Sequence, residues 1–414
     1  MGIDMIKGFA HKTTCRICDS SDLVKILDLG EMPPANAYLV KDELNDPEDR
    51  FPLAAYFCKN CTLVQVLDVV DPNILFKDYH YITGANKPSV EHFEQYAKMI
   101  KQRFIGSPDD LVIDIGGNDG VFLGYLKDDA RVLNIDPADN LKPLSEGRGV
   151  PMLPIFFTSA AARDVAEKYG VARVVTANNI TAHTDPIRDV YAGIATLVGE
   201  DGVFVAESHW VKNLIEDVAF DQIYHEHLCF YSLHALVKLA ASAGLTIFDV
   251  EVIPMQGQSL RIFASKNRKP LPSVQKILDI EERAGLTNAA TYLSFSQKVE
   301  EGRRTLKKLL ADLKRDGKKI AGYGAPAKGN TLLNYYGIGP DVLDYLVDST
   351  PMKQGLYSPG MHIPIVHPDM LKKDRPDYVL LLAWNYADAI LKNEQALRDS
   401  GVKFIITVPE VRVV

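Results

Sequence analysis

Residues 111–120, LVIDIGGNDG, constrain the fold more than any other stretch of the chain. The apolar run Leu111, Val112, Ile113 and Ile115 suits a strand buried on both faces, as in a parallel sheet. Gly116, Gly117 and Gly120 let the backbone turn tightly and approach a ligand. VFLGYL then opens a helix. About twenty residues after the loop, the strand-like run 132–135 ends in Asp136, an acidic residue placed to bond ribose hydroxyls. Further strands follow in RVVTANN, GVFVAES, LTIFDVEVI and LRIFASK, alternating with helices. That alternation predicts an α/β fold with a mainly parallel sheet.

The loop also selects a ligand. Dinucleotide-binding folds share the strand, glycine turn and acidic residue, but their fingerprint is G-x-G-x-x-G. Here the loop is D-x-G-G-N-D-G. Asn118 and Asp119 stand where a pyrophosphate wants a glycine and open helix N–H groups, and Asp119 repels phosphate. An acidic loop suits a cationic or zwitterionic ligand, so S-adenosylmethionine (SAM) is the expected cofactor. Asp114, Gly116, Gly117, Asn118 and Asp136 are the candidate contacts.

Four cysteines mark a separate module. Cys15-Arg-Ile-Cys18 and Cys58-Lys-Asn-Cys61 are two CxxC knuckles, a set suited to one tetrahedral zinc ion with no open position for a substrate. The N-terminus is polar and no apolar stretch is long enough to span a membrane, so a cytoplasmic protein with reduced thiols is expected. Cys229, the fifth, is expected to be a small buried side chain. At 414 residues and a net charge of −8, with scattered basic residues, the chain has room for two or three domains and no nucleic-acid signature. The expected division is a zinc module over 1–72, a SAM domain over 73–265 and a second α/β domain over 266–414. A helix over 88–104 leads into the SAM domain. A charged helical stretch, SVQKILDIEERAG through VEEGRRTLKKLLADLKRDG, bridges to the last domain. There KIAGYGAPAK repeats the strand–glycine turn–helix pattern, followed by VLDYLVDST, DYVLLLAWN and FIITV. Its turn is a candidate phosphate cradle at Gly324 and Lys328, unless it serves only helix–sheet packing.

Tyr224-His225-Glu226-His227 puts two imidazoles, a carboxylate and a phenol in four consecutive positions between apolar neighbours. Burial of such groups is costly unless they are paired, and histidine titrates nearest neutrality. This points to acid/base catalysis. HEH lacks the i, i+4 spacing of HExxH, which argues against a catalytic metal; a satisfied structural pair is the other alternative.

Taken in order, CRIC…CKNC, DYHY, IGGNDG, IDPADN, ANNITAH, FDQIYHEHLCFYSL and GYGAPAKGNTLLNY resemble the sugar C-methyltransferase family over nearly the whole chain. The resemblance implies a zinc-binding N-terminal domain, a central Rossmann-like SAM domain and a C-terminal Rossmann-like α/β domain. The acceptor is then a nucleotide-linked keto-deoxysugar lying between the latter two. It implies His227 as the base, with Tyr224 and Glu226 beside it, and His183 as a second active-site histidine. Tyr79 joins the catalytic set and Tyr81 the substrate contacts, with Gly324, Lys328 and Asn330. Pro137, Asn178 and Asn179 join the SAM contacts. Three segments depart from the family pattern, ITGANKPS, Glu207-Ser208-His209-Trp210 and MQGQSLR, and all three are expected near the acceptor.

A carbon beside a ketone becomes nucleophilic only after losing a proton, which a base of suitable pKa can take. His227 is expected to take it, with Glu226 orienting the imidazole as in catalytic triads. Tyr224 and His225, then His183 and Tyr79, are candidate donors to the enolate oxygen. The expected function is SAM-dependent C-methylation; the alternative is O-methylation of a sugar or another small carbonyl-containing acceptor.

Overall fold

The computed structural model describes residues 8–76, 82–254 and 258–414. Tyr79, Tyr81 and the segment 255–257 of MQGQSLR lie outside them. Leu23–Met32, Phe51–Cys58 and Val64–Val66 form an antiparallel meander below the knuckles. Its fourth strand comes from elsewhere: Cys229–Phe230, just after the YHEH segment, pairs antiparallel with Val64–Val66. Cys229 is buried there, as expected for a small apolar side chain.

The central sheet has seven strands. Five are parallel: Met152–Leu153, Arg131–Ile135, Leu111–Ile115, Ala172–Asn178 and Val198–His209. Val112, Ile113, Val174 and Val175 are fully buried, which explains the unbroken apolar runs. The last two strands, Ser259–Ser265 and Thr246–Ile253, are antiparallel. Only residues 254–258 join them, too few for the crossover that a parallel pair needs. The helix Lys87–Phe104 precedes this sheet, with the Asn86 side chain accepting from Ser89 N at its start.

The C-terminal sheet has six strands. Ile320–Tyr323 lies between Leu346–Val347 and Tyr378–Leu381; Ile365–Val366 and Lys403–Ile406 continue it in parallel, and Arg412–Val413 adds an antiparallel edge. The charged stretch folds as helices Pro272–Arg283 and Ala289–Arg315. It does more than bridge. Tyr292 stacks on Phe57 of the N-terminal sheet at 4.6 Å, and the buried Glu281 accepts from Trp210 Nε1 at 2.7 Å. One apolar core runs through all three sheets, from Cys15 to Ile405.

Candidate active site and cysteine cluster

The two knuckles converge. The four cysteine sulfurs lie within 4.8 Å of one another, with Cys15 Sγ 3.3 Å from Cys61 Sγ and Cys18 Sγ 3.6 Å from Cys58 Sγ. Tetrahedral thiolates around a zinc ion stand about 3.8 Å apart at normal Zn–S lengths. Hydrogen bonds from Cys58 and Cys61 hold the Cys15 thiol well below its usual range, while Cys58 is pushed up to about 11. One thiolate is thus sheltered by its neighbours' S–H groups, and a divalent cation would let all four ionise.

At the carboxyl edge of the central sheet, the glycine loop is locked from beneath. Asp136 accepts from Asn118 N at 2.9 Å and from Ala138 N at 3.0 Å. A Cβ on Gly117 would meet Asn134 Oδ1 at 2.5 Å and Asp114 Oδ2 at 2.8 Å, so only glycine fits. Ile180 covers Gly116, and Pro137 is exposed beyond Asp136. Asp119, expected to face the ligand, does not supply the loop's acidity. Its carboxylate pairs with Arg148 at 2.8 Å and accepts from Gly84 N, while Asn118 Oδ1 accepts from Thr83 N. The free acidity lies one layer deeper. Burial raises Asp114 to about 7; Thr176 donates to it at 2.6 Å, while the nearby Asp136 and Glu207 push it further up. Burial raises Asp136 as well. Asn178 presents both side-chain polar atoms, and Asn179 its Oδ1, buried and without a hydrogen-bond partner. Asn179 sits at φ 57 with its N–H on Glu207 O. Two carboxyls lacking a countercharge and orphaned amides fit a zwitterionic ligand with a sulfonium, such as SAM.

The YHEH segment is a tight turn, closed by His227 N on Tyr224 O at 2.9 Å. His227 Nδ1 donates to Gln222 O at 2.8 Å, which leaves Nε2 as the acceptor for the Tyr224 hydroxyl, also at 2.8 Å. Burial holds His227 well below its usual pKa, and the neighbouring His183 and His209 rings add to this. Their centroids stand 4.9 and 6.0 Å from His227. His183, half-buried, is lowered to about 4 by desolvation, although the carbonyls of Glu226 and Asn179 pull the other way. His227, His183 and Tyr224 thus come together as expected.

Two roles change hands. Gln222 O, not Glu226, orients the His227 imidazole. The Glu226 carboxyl instead accepts from Asn36 Nδ2 of the N-terminal module at 2.7 Å, and burial raises it to about 7. His225 is no donor to this cluster. It donates Nε2 to Phe51 O at 3.2 Å and packs edge-on against the Phe51 ring, buried under the N-terminal sheet and lowered to about 4 by that burial. The turn sends the His225 and Glu226 side chains toward the N-terminal module, away from the Tyr224–His227 pair.

At the C-terminal turn Gly324 has φ 86, and the next N–H, on Ala325, is taken by Asp348 Oδ2 at 2.8 Å, with Lys353 Nζ 3.9 Å from that carboxylate. Lys328 lies over the Trp384 ring at 4.5 Å and bonds Asn385 Oδ1; burial lowers it to about 8. Trp384 Nε1 donates to the buried Asp221 at 2.7 Å, which burial raises to about 6. Asn330 Nδ2 is spent on Ala35 O at 2.8 Å, tying the C-terminal domain to the N-terminal module. From the sequence, Gln222, Asn36 and Asp221 carry no site assignment of their own. His209 is expected near the acceptor only as part of Glu207-Ser208-His209-Trp210, at the end of a strand on the ligand-bearing sheet edge.

Three family matches tile the chain: "Putative zinc binding domain" over residues 15–76, "Methyltransferase domain" over 90–250 and "C-methyltransferase C-terminal domain" over 254–409. C-methyltransferase NovU of Streptomyces niveus is 34% identical over 404 residues, covering 97% of this chain and 96% of the relative. Among solved structures, magnesium protoporphyrin IX methyltransferase of Synechocystis with bound SAH aligns at 12% identity and a TM-score of 0.36, over 44% of this chain and 88% of that one. An O-methyltransferase family protein of Burkholderia thailandensis aligns at 16% identity and a TM-score of 0.34, over 44% and 57%. Among the described residues, no helix is long and apolar enough to cross a membrane.

Proposed function

The chain belongs to the C-methyltransferase family that its motifs resemble and is a SAM-dependent methyltransferase; from that premise we propose that it methylates the α-carbon of a nucleotide-linked keto-deoxysugar through an enolate. The observation that carries this reading is the pair of bonds on His227. Nδ1–H is fixed on the Gln222 carbonyl, so the only free basic atom is Nε2, and a phenol donor rests on it.

When the ketone binds, Tyr224 moves its hydrogen bond to the carbonyl oxygen and bares Nε2. His227 Nε2 takes the α-proton, and the electron pair of the C–H bond becomes the enolate. The lowered pKa of the half-buried imidazole keeps it neutral at neutral pH, with Nε2 able to take a proton. The developing enolate then supplies the negative charge that steadies the imidazolium. His183 is the next donor on hand. Asp114, Asp136, Asn178 and Asn179 would hold SAM, which supplies an electrophilic methyl group. The four cysteines would hold one structural zinc ion, away from the chemistry.

The test uses a panel of dTDP- and GDP-linked keto-deoxysugars. Wild-type enzyme should give a product with a new C–CH3 signal by NMR. With SAH in place of SAM, it should exchange the acceptor's α-proton with D2O. His227→Asn should lower kcat by about 10²–10⁴ and slow exchange in step, with SAM affinity unchanged. An O–CH3 product without exchange would overturn the enolate reading.

A further inference from the structure

The first cysteine knuckle encloses a residue that touches both histidine-bearing segments. Arg16 lies between Cys15 and Cys18, and its side chain is wholly buried. Its Nε donates to Asp185 Oδ1 at 2.9 Å, two residues beyond His183. Its Nη1 donates to Leu228 O at 3.3 Å, the residue after His227, and to Gln65 Oε1 at 3.2 Å. The two segments are also joined directly, with Leu228 N on Ala182 O at 2.8 Å and the Tyr231 hydroxyl on Thr181 O at 2.9 Å. A second clamp runs from the knuckle's far side, where Asp19 takes both Nη atoms of Arg188 at 2.7 and 2.8 Å.

As a device for stability this network is poor. Arg16 Nη2 and Gln65 Nε2 are buried with no hydrogen-bond partner, and such groups cost free energy. What it supplies is position. A guanidinium is a planar fork, and its geometry fixes the spacing between Asp185 and Leu228. That spacing sets how the His183 ring meets the His227 ring. We propose that Arg16 is a positioning residue, through which the cysteine knuckle holds the His183 and His227 segments in register. Loss of Arg16 is then felt at the imidazoles while the knuckle still binds metal.

The catalytic half of this inference rests on His227 acting as the base; the experiment separates the two. The full-length protein is labelled with 15N-histidine, and the His183 and His227 ring signals are assigned from His183→Asn and His227→Asn. Wild type should keep both rings neutral from about pH 8 down to about pH 5.5, with His227 in the Nδ1–H form. Arg16→Met should retain its metal by elemental analysis and bind SAH as wild type does. Its His227 signal should become a tautomer mixture, and the His183 pKa should rise towards the ordinary value as water enters. Methyl transfer should fall about 10-fold or more in kcat, the scale of a small misplacement. Arg16→Lys keeps the contact with Asp185 but not the fork, and should lie between the two. Wild-type ring signals in Arg16→Met overturn the proposal, as does release of its metal with melting like that of a cysteine variant. If Arg16→Met does not fold, Asp185→Asn is decided by the same ring signals. Displaced rings with undiminished kcat would refute the catalytic half alone.

Discussion

Replacing Asp114 by Asn should make the ligand-free chain more stable at neutral pH and make SAM bind less tightly. Asp114 is 4% exposed, and burial lifts its pKa from 3.8 to about 7. In the unfolded chain this carboxyl loses its proton near pH 4; in the folded chain it keeps it until about pH 7. Folding therefore takes up a proton between those values, and stability falls as pH rises through that window. Three pKa units correspond to about 4 kcal/mol, an upper bound that relaxation and water entry reduce to about 1–3 kcal/mol. Asn keeps an oxygen to accept from Thr176 and removes the charge. The gain should be near zero at about pH 4 and full at about pH 8, or several degrees in Tm. A bound sulfonium gives wild-type Asp114 the countercharge it lacks. The variant should thus lose about 3–10-fold more affinity for SAM than for SAH, the size of one screened charge contact. Thermal melts at several pH values test the first half and calorimetry the second. Parallel melting curves for wild type and variant would refute the unpaired-carboxyl argument. Equal losses for SAM and SAH would refute the countercharge.

Two other substitutions address the metal and the loop. Wild-type protein should carry about one zinc per chain, and Cys58→Ser should lose metal and melt early; metal-free protein with unchanged melting would remove the structural ion. Asp136→Ala loses the anchor of Asn118 N and, on the proposed SAM-binding mode, a ribose contact. It should weaken SAH binding by about 1.5–3 kcal/mol by calorimetry, and NADH binding in its place would reverse the cofactor assignment.

The fold was legible where one element declares itself locally. The run before Gly116 is apolar at every position except Asp114, which only a doubly covered strand tolerates, and the cysteine knuckles name their own partners. The antiparallel end of the central sheet follows from the shortness of 254–258, a connection length visible in the sequence but masked by the apolar runs on either side. In the YHEH segment the sequence led to some of the contacts and not to others. Tyr224, His183 and His227 meet, but adjacency in sequence suggested that Glu226 and His225 serve the same ring. Both face the N-terminal module instead, through Asn36 and Phe51. No periodicity reports such contacts, because they join residues far apart in the chain.

That pattern of contacts has one physical source. The segment after His227 is a strand of the cysteine module's sheet, so residues 225–230 belong to two structures at once. A strand must satisfy its backbone groups on both sides, and Leu228 does so with Ala182 on one side and Val66 on the other. Tyr224 and His227 stay half-buried at that junction, while His225 is pulled beneath it. The C-terminal domain closes the third side by Trp384 on Asp221, one residue before the carbonyl that orients His227. His227, the proposed base, is therefore set by contacts from all three domains. Cutting any one of them should disturb proton transfer before it disturbs SAM binding, because the glycine loop and Asp136 are anchored within the central domain.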